Sequence, residues 1–129
     1  MKFMLMMAGT LKGMQAFGSM APEEIRAHMK FMIDLKQELA VSGEFVDAQG
    51  LASFDQHKIV KARAGGPPIV TDGPFVESKE FLAGYWLIEC ASLDRAVEIA
   101  ARISTAPGKA GAPMNFPIEL RPIGPAPVV

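Results

Sequence analysis

Two segments of this chain place hydrophobic residues on both alternating faces of a strand. Lys2–Ala8 has this pattern, and Ala83–Ala91 repeats it with the strongest strand signal in the chain. A strand that is apolar on both faces is covered on both faces in the folded protein. The pattern therefore predicts a sheet that is covered on both sides.

Two other segments have the period of a helix. The first, from about Pro22 to Val41, begins with a proline that suits the first helical position, and its hydrophobic residues recur every three or four positions. The second, Leu93–Ile103, follows a serine that predicts an N-cap. Gly9–Ala21 contains three glycines and has no clear period, so it predicts a loop.

The remaining predicted strands are short: Glu44–Asp47 with Leu51–Phe54, His57–Arg63, Ile69–Thr71, and Phe116–Ile123. The element order is then β-α-β-β-β-α-β, which predicts an α+β fold with two helices on one face of an antiparallel sheet. We expect one domain over residues 1–123 and a loose tail over residues 124–129.

Two helices cover only one face of such a sheet. The other face would be a large apolar patch, which monomers avoid, and a second copy of the chain is the simplest cover. We therefore expect a homodimer. Alternation places Glu119 and Arg121 on this second face together with Tyr85 and Glu89. These polar residues either form ion pairs that fix the register of the dimer or bind a ligand.

Composition narrows the class of protein. With 50% hydrophobic and 21% charged residues in 129, the chain predicts a soluble globular protein. A net charge of −1 predicts no nucleic-acid partner and no membrane-surface patch. No apolar segment approaches the about 18 residues of a membrane span, and Met1–Ala8 is too short for a secretion signal, so we expect a cytoplasmic protein. One cysteine, Cys90, and two histidines predict no disulfide, no dedicated metal site and no cofactor.

The least generic segment is 71–85, with the sequence TDGPFVESKEFLAGY. Asp-Gly allows a positive φ and the following proline restricts the next φ, so the turn is expected to fix the carboxylate of Asp72 and the ring of Phe75. Asp72 either accepts backbone N–H bonds in an Asx turn or lines a pocket as a rigid carboxylate. In the second case, Lys79 would lower the pKa of Asp72 or bind an anionic ligand.

His28 lies on the apolar stripe of the first helix. It is either a buried, hydrogen-bonded core residue or a general acid and base. Asp72 and His28 are therefore the candidate catalytic residues, although the sequence does not place them in one pocket. The candidate ligand-binding residues are Gly73, Pro74, Phe75, Lys79, Tyr85, Glu119 and Arg121.

Thr71–Phe75, followed by Glu77, Lys79, Glu80, Gly84 and Tyr85, resembles the signature of the DGPF group of YCII-related proteins. Weaker similarity extends over most of the chain, including Pro22–Glu24 and Gly50-Leu51. The resemblance implies a ferredoxin-like α+β fold that pairs into a dimeric α/β barrel. Related members have been proposed to use a His–Asp pair, which supports an acid–base role for His28, and one distant member acts on a chlorinated aromatic ring.

Two functions fit these residues. The first is a cofactor-independent acid–base enzyme of the isomerase or lyase type, acting on a small organic substrate near the DGPF turn and the dimer interface. The second is a non-catalytic ligand sensor or regulatory interaction module. The resemblance supports the second as well, because DGPF-like proteins are often encoded near alternative sigma factors.

Overall fold

The computed structural model describes residues 1–52, 54–73 and 80–125. Its helices and strands are β1 Lys2–Gly9, α1 Leu11–Gly18, α2 Pro22–Ser42, β2 Phe45–Gly50, β3 Lys58–Lys61, β4 Ile69–Asp72, β5 Phe81–Glu89, α3 Leu93–Ser104 and β6 Ile118–Pro122. Short 3-10 turns occupy Phe54–Gln56 and Lys109–Gly111. No helix in the described ranges is both long and apolar enough to cross a lipid bilayer.

Four strands form one antiparallel sheet in the order β2-β5-β1-β6, and β3 and β4 form a separate two-stranded sheet. Without the short helix α1 and the inserted β3–β4 hairpin, the chain follows the β-α-β-β-α-β order of a ferredoxin-like fold. The predicted α+β fold with an antiparallel sheet is therefore confirmed. The hairpin is an addition between the second and third strands of that fold.

The core lies between the main sheet and helices α2 and α3. Its buried members are Phe3, Leu5, Leu35, Leu39, Trp86, Ile88, Cys90, Ala96, Ile99 and Ile103. Along β1, Phe3 and Leu5 are 0% exposed, whereas Met4 and Met6, which alternate with them, are half-buried. Alternation along β1 thus separates a helix-covered face from a second face, which we call the open face.

The strand register defines the side chains of the open face. One row across the sheet contains Leu87, Met4 and Arg121, and the next contains Tyr85, Met6 and Glu119. Since residues directly opposite each other on paired strands point to the same side, these side chains share one surface. Leu87, Met4, Tyr85 and Met6 are half-buried within one protomer.

The structure corrects the expected loop at Gly9–Ala21, because Leu11–Gly18 form helix α1. Thr10 caps it, since the hydroxyl oxygen of Thr10 accepts a hydrogen bond from the amide of Gly13 at 2.9 Å. Met14 and Phe17, three residues apart, are half-buried. Capping and tertiary packing therefore outweigh the low helix propensity of the two glycines within this segment.

The bounds of α2 agree with the prediction to within one residue, whereas those of β2 differ from it. Helix α2 ends at Ser42, and Gly43 closes it with a φ of 81°, the left-handed conformation that glycine adopts readily. The two strand pieces expected on either side of residue 50 are instead one strand, Phe45–Gly50, with a register shift between Phe45 and Asp47. This irregularity interrupts the alternation from which the strand would otherwise be recognised.

Two bidentate ion pairs hold α3 against the rest of the helix layer. Arg95 donates from Nε and Nη2 to the two carboxylate oxygens of Glu44, each at 2.9 Å. Arg102 donates from Nη1 and Nη2 to the two carboxylate oxygens of Glu38 in α2. Arg95, and to a smaller extent the hydroxyl of Ser42, lowers the pKa of the Glu44 carboxyl from 4.5 to about 2.

Arg95→Ala is expected to reduce the free energy of unfolding at about pH 7 by about 1–3 kcal/mol. The folded-state pKa of Glu44 is below its unfolded value, so the contribution of the pair is complete above pH 4.5 and is lost as the pH falls toward 2. Urea unfolding at about pH 7 and about pH 3 should therefore show a smaller difference from the parent at the lower pH. The matched control Arg26→Ala, an exposed helical arginine, should change stability by no more than about 0.5 kcal/mol at either pH. An equal loss of stability in Arg95→Ala at both pH values would contradict the conclusion that Arg95 lowers the pKa of Glu44.

Candidate functional site

A cavity of about 330 Å³ lies between α2 and the helix-covered face of the sheet. We call it the α2 cleft. It is lined by Met7, His28, Met29, Met32, Ile33, Lys36, Ala48, Gln49, Gly50, Trp86 and Phe116. Its volume is in the range of small-molecule sites, and its mainly apolar wall carries two polar side chains, those of His28 and Lys36. Gln49 lies opposite Tyr85, and its side chain donates to Asp47 on the open face. A compact, mostly apolar molecule with one polar or charged group would match this wall.

His28 is the polar residue that the fold positions most closely. It is 9% exposed, and its Nδ1 lies 3.0 Å from the carbonyl oxygen of Pro107. A carbonyl oxygen can only accept, so Nδ1 carries the proton and donates it, and in the neutral ring Nε2 keeps the lone pair. Nε2 forms no hydrogen bond to the described residues and is not sealed from solvent. The imidazole, which lines the cleft, therefore keeps one nitrogen whose lone pair has no partner among the described residues.

An aromatic contact and the Pro107 carbonyl together fix the orientation of the His28 ring. The ring of Phe17 packs edge-on against it, with centroids 5.1 Å apart and an interplanar angle of 74°. Sequence reasoning missed both partners, because Phe17 and Pro107 lie in segments without a clear period. No local signal in the sequence connects either residue with His28.

Lys36 supplies the positive charge at the cleft. Its ammonium lies 5.2 Å from the centroid of the Phe45 ring, and it forms no ion pair within the described ranges. Sequence reasoning also missed this residue, although a signal existed. His28, Met32 and Lys36 are four residues apart in succession, which places them on one face of α2.

Asp72 lies outside the α2 cleft, at the end of β4. Its carboxylate accepts a hydrogen bond from Lys58, the residue opposite it on β3, and Lys58 lowers the pKa of that carboxyl. The Asp72 side chain is 86% exposed. The described contacts do not bring Asp72 and His28 together. Pro74, Phe75 and Lys79 lie outside the described residues.

Gly73 does not take the positive φ that the Asp-Gly sequence allows. The glycines with positive φ among the described residues are Gly43, Gly65 and Gly111. The amide of Gly73 donates to the carbonyl oxygen of His57 at 2.8 Å, and a Cβ at Gly73 would lie 2.7 Å from Cδ2 of His57. The small size of Gly73 therefore matters because the His57 ring packs over it.

The open face carries the other predicted polar residues. Tyr85, Glu119 and Arg121 share this face, which confirms the orientation expected from alternation. The Tyr85 hydroxyl donates to Oδ2 of Asp47 at 3.0 Å, and this bond raises the pKa of Tyr85. Sequence reasoning missed Asp47, which lies at the irregular part of β2. A ligand-binding role for Tyr85, Glu119 or Arg121 stays a prediction.

Comparisons with known proteins give a matching family model and a relative of similar sequence. The family model described as the YCII-related domain matches residues 1–118. A protein of Rhizobium meliloti (strain 1021), itself described as uncharacterised, is 45% identical over 60 residues. The match covers 46% of this chain and 44% of the relative. The aligned segment thus spans less than half the length of that curated protein.

Proposed function

Since this chain belongs to the YCII-related family, we propose that it binds a small, mainly apolar organic acid in the α2 cleft, with His28 as the acid–base group. The observation that carries the proposal is the Nδ1–H bond of His28 to Pro107. This bond leaves the lone pair of Nε2 available at an apolar cavity. Lys36 lies at the same cavity and matches an anionic group on the ligand.

The chemistry open to this arrangement is proton transfer. Nε2 of His28 accepts a proton from an acidic C–H or O–H bond of the ligand, and the electron pair stays on the ligand as an enolate-like anion. Lys36 stabilises that negative charge, while the Pro107 carbonyl satisfies the Nδ1–H of the imidazolium. Return of the proton to a different atom gives an isomerisation. Loss of a leaving group from the anion gives an elimination.

We also propose that two copies of the chain pair through the open face. The half-buried residues Met4, Met6 and Leu87 form an apolar surface in the middle of this face, and Glu119 and Arg121 lie at its β6 side. In a symmetric dimer the two chains present the same surface, so Arg121 of one protomer can pair with Glu119 of the other. Such a pairing would build a dimeric α/β barrel.

The acid–base role is tested with small aromatic and lactone-like carboxylic acids as probes. A thermal-shift screen finds those that bind, and NMR in D₂O then follows exchange of the acidic C–H protons of each bound compound. His28→Asn should leave the fold intact and slow this exchange by about 10²–10⁴-fold. Lys36→Gln should weaken binding by about tenfold, since it removes the cation that matches the carboxylate.

Two matched controls accompany His28→Asn. His57→Asn changes the other histidine, and Asp72→Asn removes the charge of the exposed motif carboxylate, so neither should alter binding or exchange. Exchange that His28→Asn leaves unchanged would refute the acid–base role. Loss of exchange in Asp72→Asn would instead indicate that Asp72, in the DGPF turn, is the catalytic residue. Binding by the parent without any exchange would favour the non-catalytic ligand sensor, including a regulatory link to sigma-factor systems.

A further inference from the structure

A second cavity, of about 400 Å³, lies between α1 and the segment over residues 106–114. We call it the α1 cavity. Four side chains give it an apolar wall, and two give it charge: Ala16, Phe17, Met20 and Met114, with Glu24 and Lys109. The volume suits a small molecule, and none of the six residues lines the α2 cleft.

The α1 cavity shares its walls with the surroundings of His28. Phe17 lines the cavity and packs edge-on against the His28 ring. Gly108 also lines the cavity, and it directly follows Pro107, whose carbonyl oxygen accepts from Nδ1 of His28. A molecule bound in the α1 cavity would therefore touch the two elements that orient His28.

The two charged residues of the cavity have opposite signs. Both carboxylate oxygens of Glu24 accept backbone N–H bonds, from Ala110 and from Ala21, and together with Lys109 these groups lower the pKa of Glu24. A carboxylate with two such bonds still has further acceptor sites. The ammonium of Lys109 forms no ion pair within the described part of the chain. Among the described residues, the wall thus presents a negative and a positive group beside an apolar surface.

We propose that the α1 cavity binds a small apolar α-amino acid and that its occupancy controls the orientation of His28. The ammonium of the ligand lies at Glu24, its carboxylate at Lys109, and its side chain against Phe17, Met20 and Met114. A zwitterion matches both wall charges. A simple carboxylic acid would instead place its negative charge near the carboxylate of Glu24, and a simple amine would place its positive charge near the ammonium of Lys109. The control of His28 acts on the function proposed for the α2 cleft, while the binding site itself is independent of that function.

The probes are L-leucine, L-methionine and L-phenylalanine. Each is titrated into the parent protein, and NMR follows the signals of the two histidine rings. The signals of His28 are identified by their loss in His28→Asn. L-Leucine should shift the His28 signals in a saturable manner and leave those of His57 unchanged. Two matched analogues of leucine, 4-methylpentanoate and 3-methylbutylamine, should bind at least about tenfold more weakly, because each leaves one wall charge without a partner.

Variants locate the site. Lys109→Gln should weaken leucine binding by at least about tenfold, and the control Lys12→Gln, the same change at an exposed position of α1, should have no effect. Ala16→Trp should block binding by filling the cavity. Lys36→Gln, which affects the α2 cleft alone, should leave leucine binding unchanged, so failure of either proposal can be told from failure of the other.

Three results would overturn the inference. The site is refuted if none of the three amino acids gives a saturable shift or a thermal stabilisation up to about 10 mM, a very weak affinity. It is also refuted if Lys109→Gln and Ala16→Trp both bind leucine as well as the parent does. Leucine binding that depends on Lys109 but leaves the His28 signals unchanged would support the site and refute its control of His28.

Discussion

Leu87→Asp is expected to convert the proposed dimer into a monomer. Leu87 is half-buried in the middle of the open face, opposite Met4, and pairing of two copies would bury it completely. A buried, unpaired carboxylate costs about 3–5 kcal/mol, which corresponds to a dissociation constant raised by about 10²–10⁴-fold. Sedimentation over a range of protein concentrations measures this shift.

Leu93→Asp is the matched control for Leu87→Asp. Leu93 is 51% exposed at the start of α3, on the helix layer rather than the open face. The same substitution there should leave the assembly unchanged. A parent protein that is monomeric at micromolar concentration would refute the dimer. A dimer that Leu87→Asp leaves intact would show that another surface pairs.

Leu39→Ala is expected to lower the free energy of unfolding by about 2–5 kcal/mol. Leu39 is 0% exposed and belongs to the core between α2 and the sheet, so its truncation removes buried apolar contacts and leaves a cavity. Urea unfolding measures the change. Leu93→Ala, the same substitution at a half-exposed helical leucine, should cost no more than about 1 kcal/mol. Equal losses in the two variants would contradict the assignment of the core to this face.

Much of the fold could be predicted because it depends on short periods in the sequence. Alternation in Lys2–Gly9 and Phe81–Glu89 correctly separates a core face from a second face, and it correctly orients Glu119 and Arg121. The period of three and four residues, with Ser92 as N-cap, gives α3 within one residue of its observed end. These patterns are local, since the geometry of a strand or a helix repeats every two or 3.6 residues.

The candidate site was less predictable, because its contacts join distant parts of the chain. His28 was recognised as a candidate, but its partner Pro107 is 79 residues away. Lys58 is 14 residues before Asp72 and accounts for the described hydrogen bond of its carboxylate. Neither contact follows from residue type or spacing. The DGPF motif indicated Asp72 as the candidate, whereas residues of α2 line the cavity. The sequence of α2 has an ordinary amphipathic pattern, which does not indicate a cavity.

The sequence by itself determined which residues form the central strands and the two long helices, and which sides of them are apolar. The tertiary structure alone decided that α1 forms, that β3 and β4 pair as a separate hairpin, and which nitrogen of His28 is free. The first set follows from backbone geometry acting over a few residues. The second set depends on the packing of the capped helix α1 and on the fold, which brings the carbonyl of Pro107 to the ring of His28. Both contacts exist only in the folded chain.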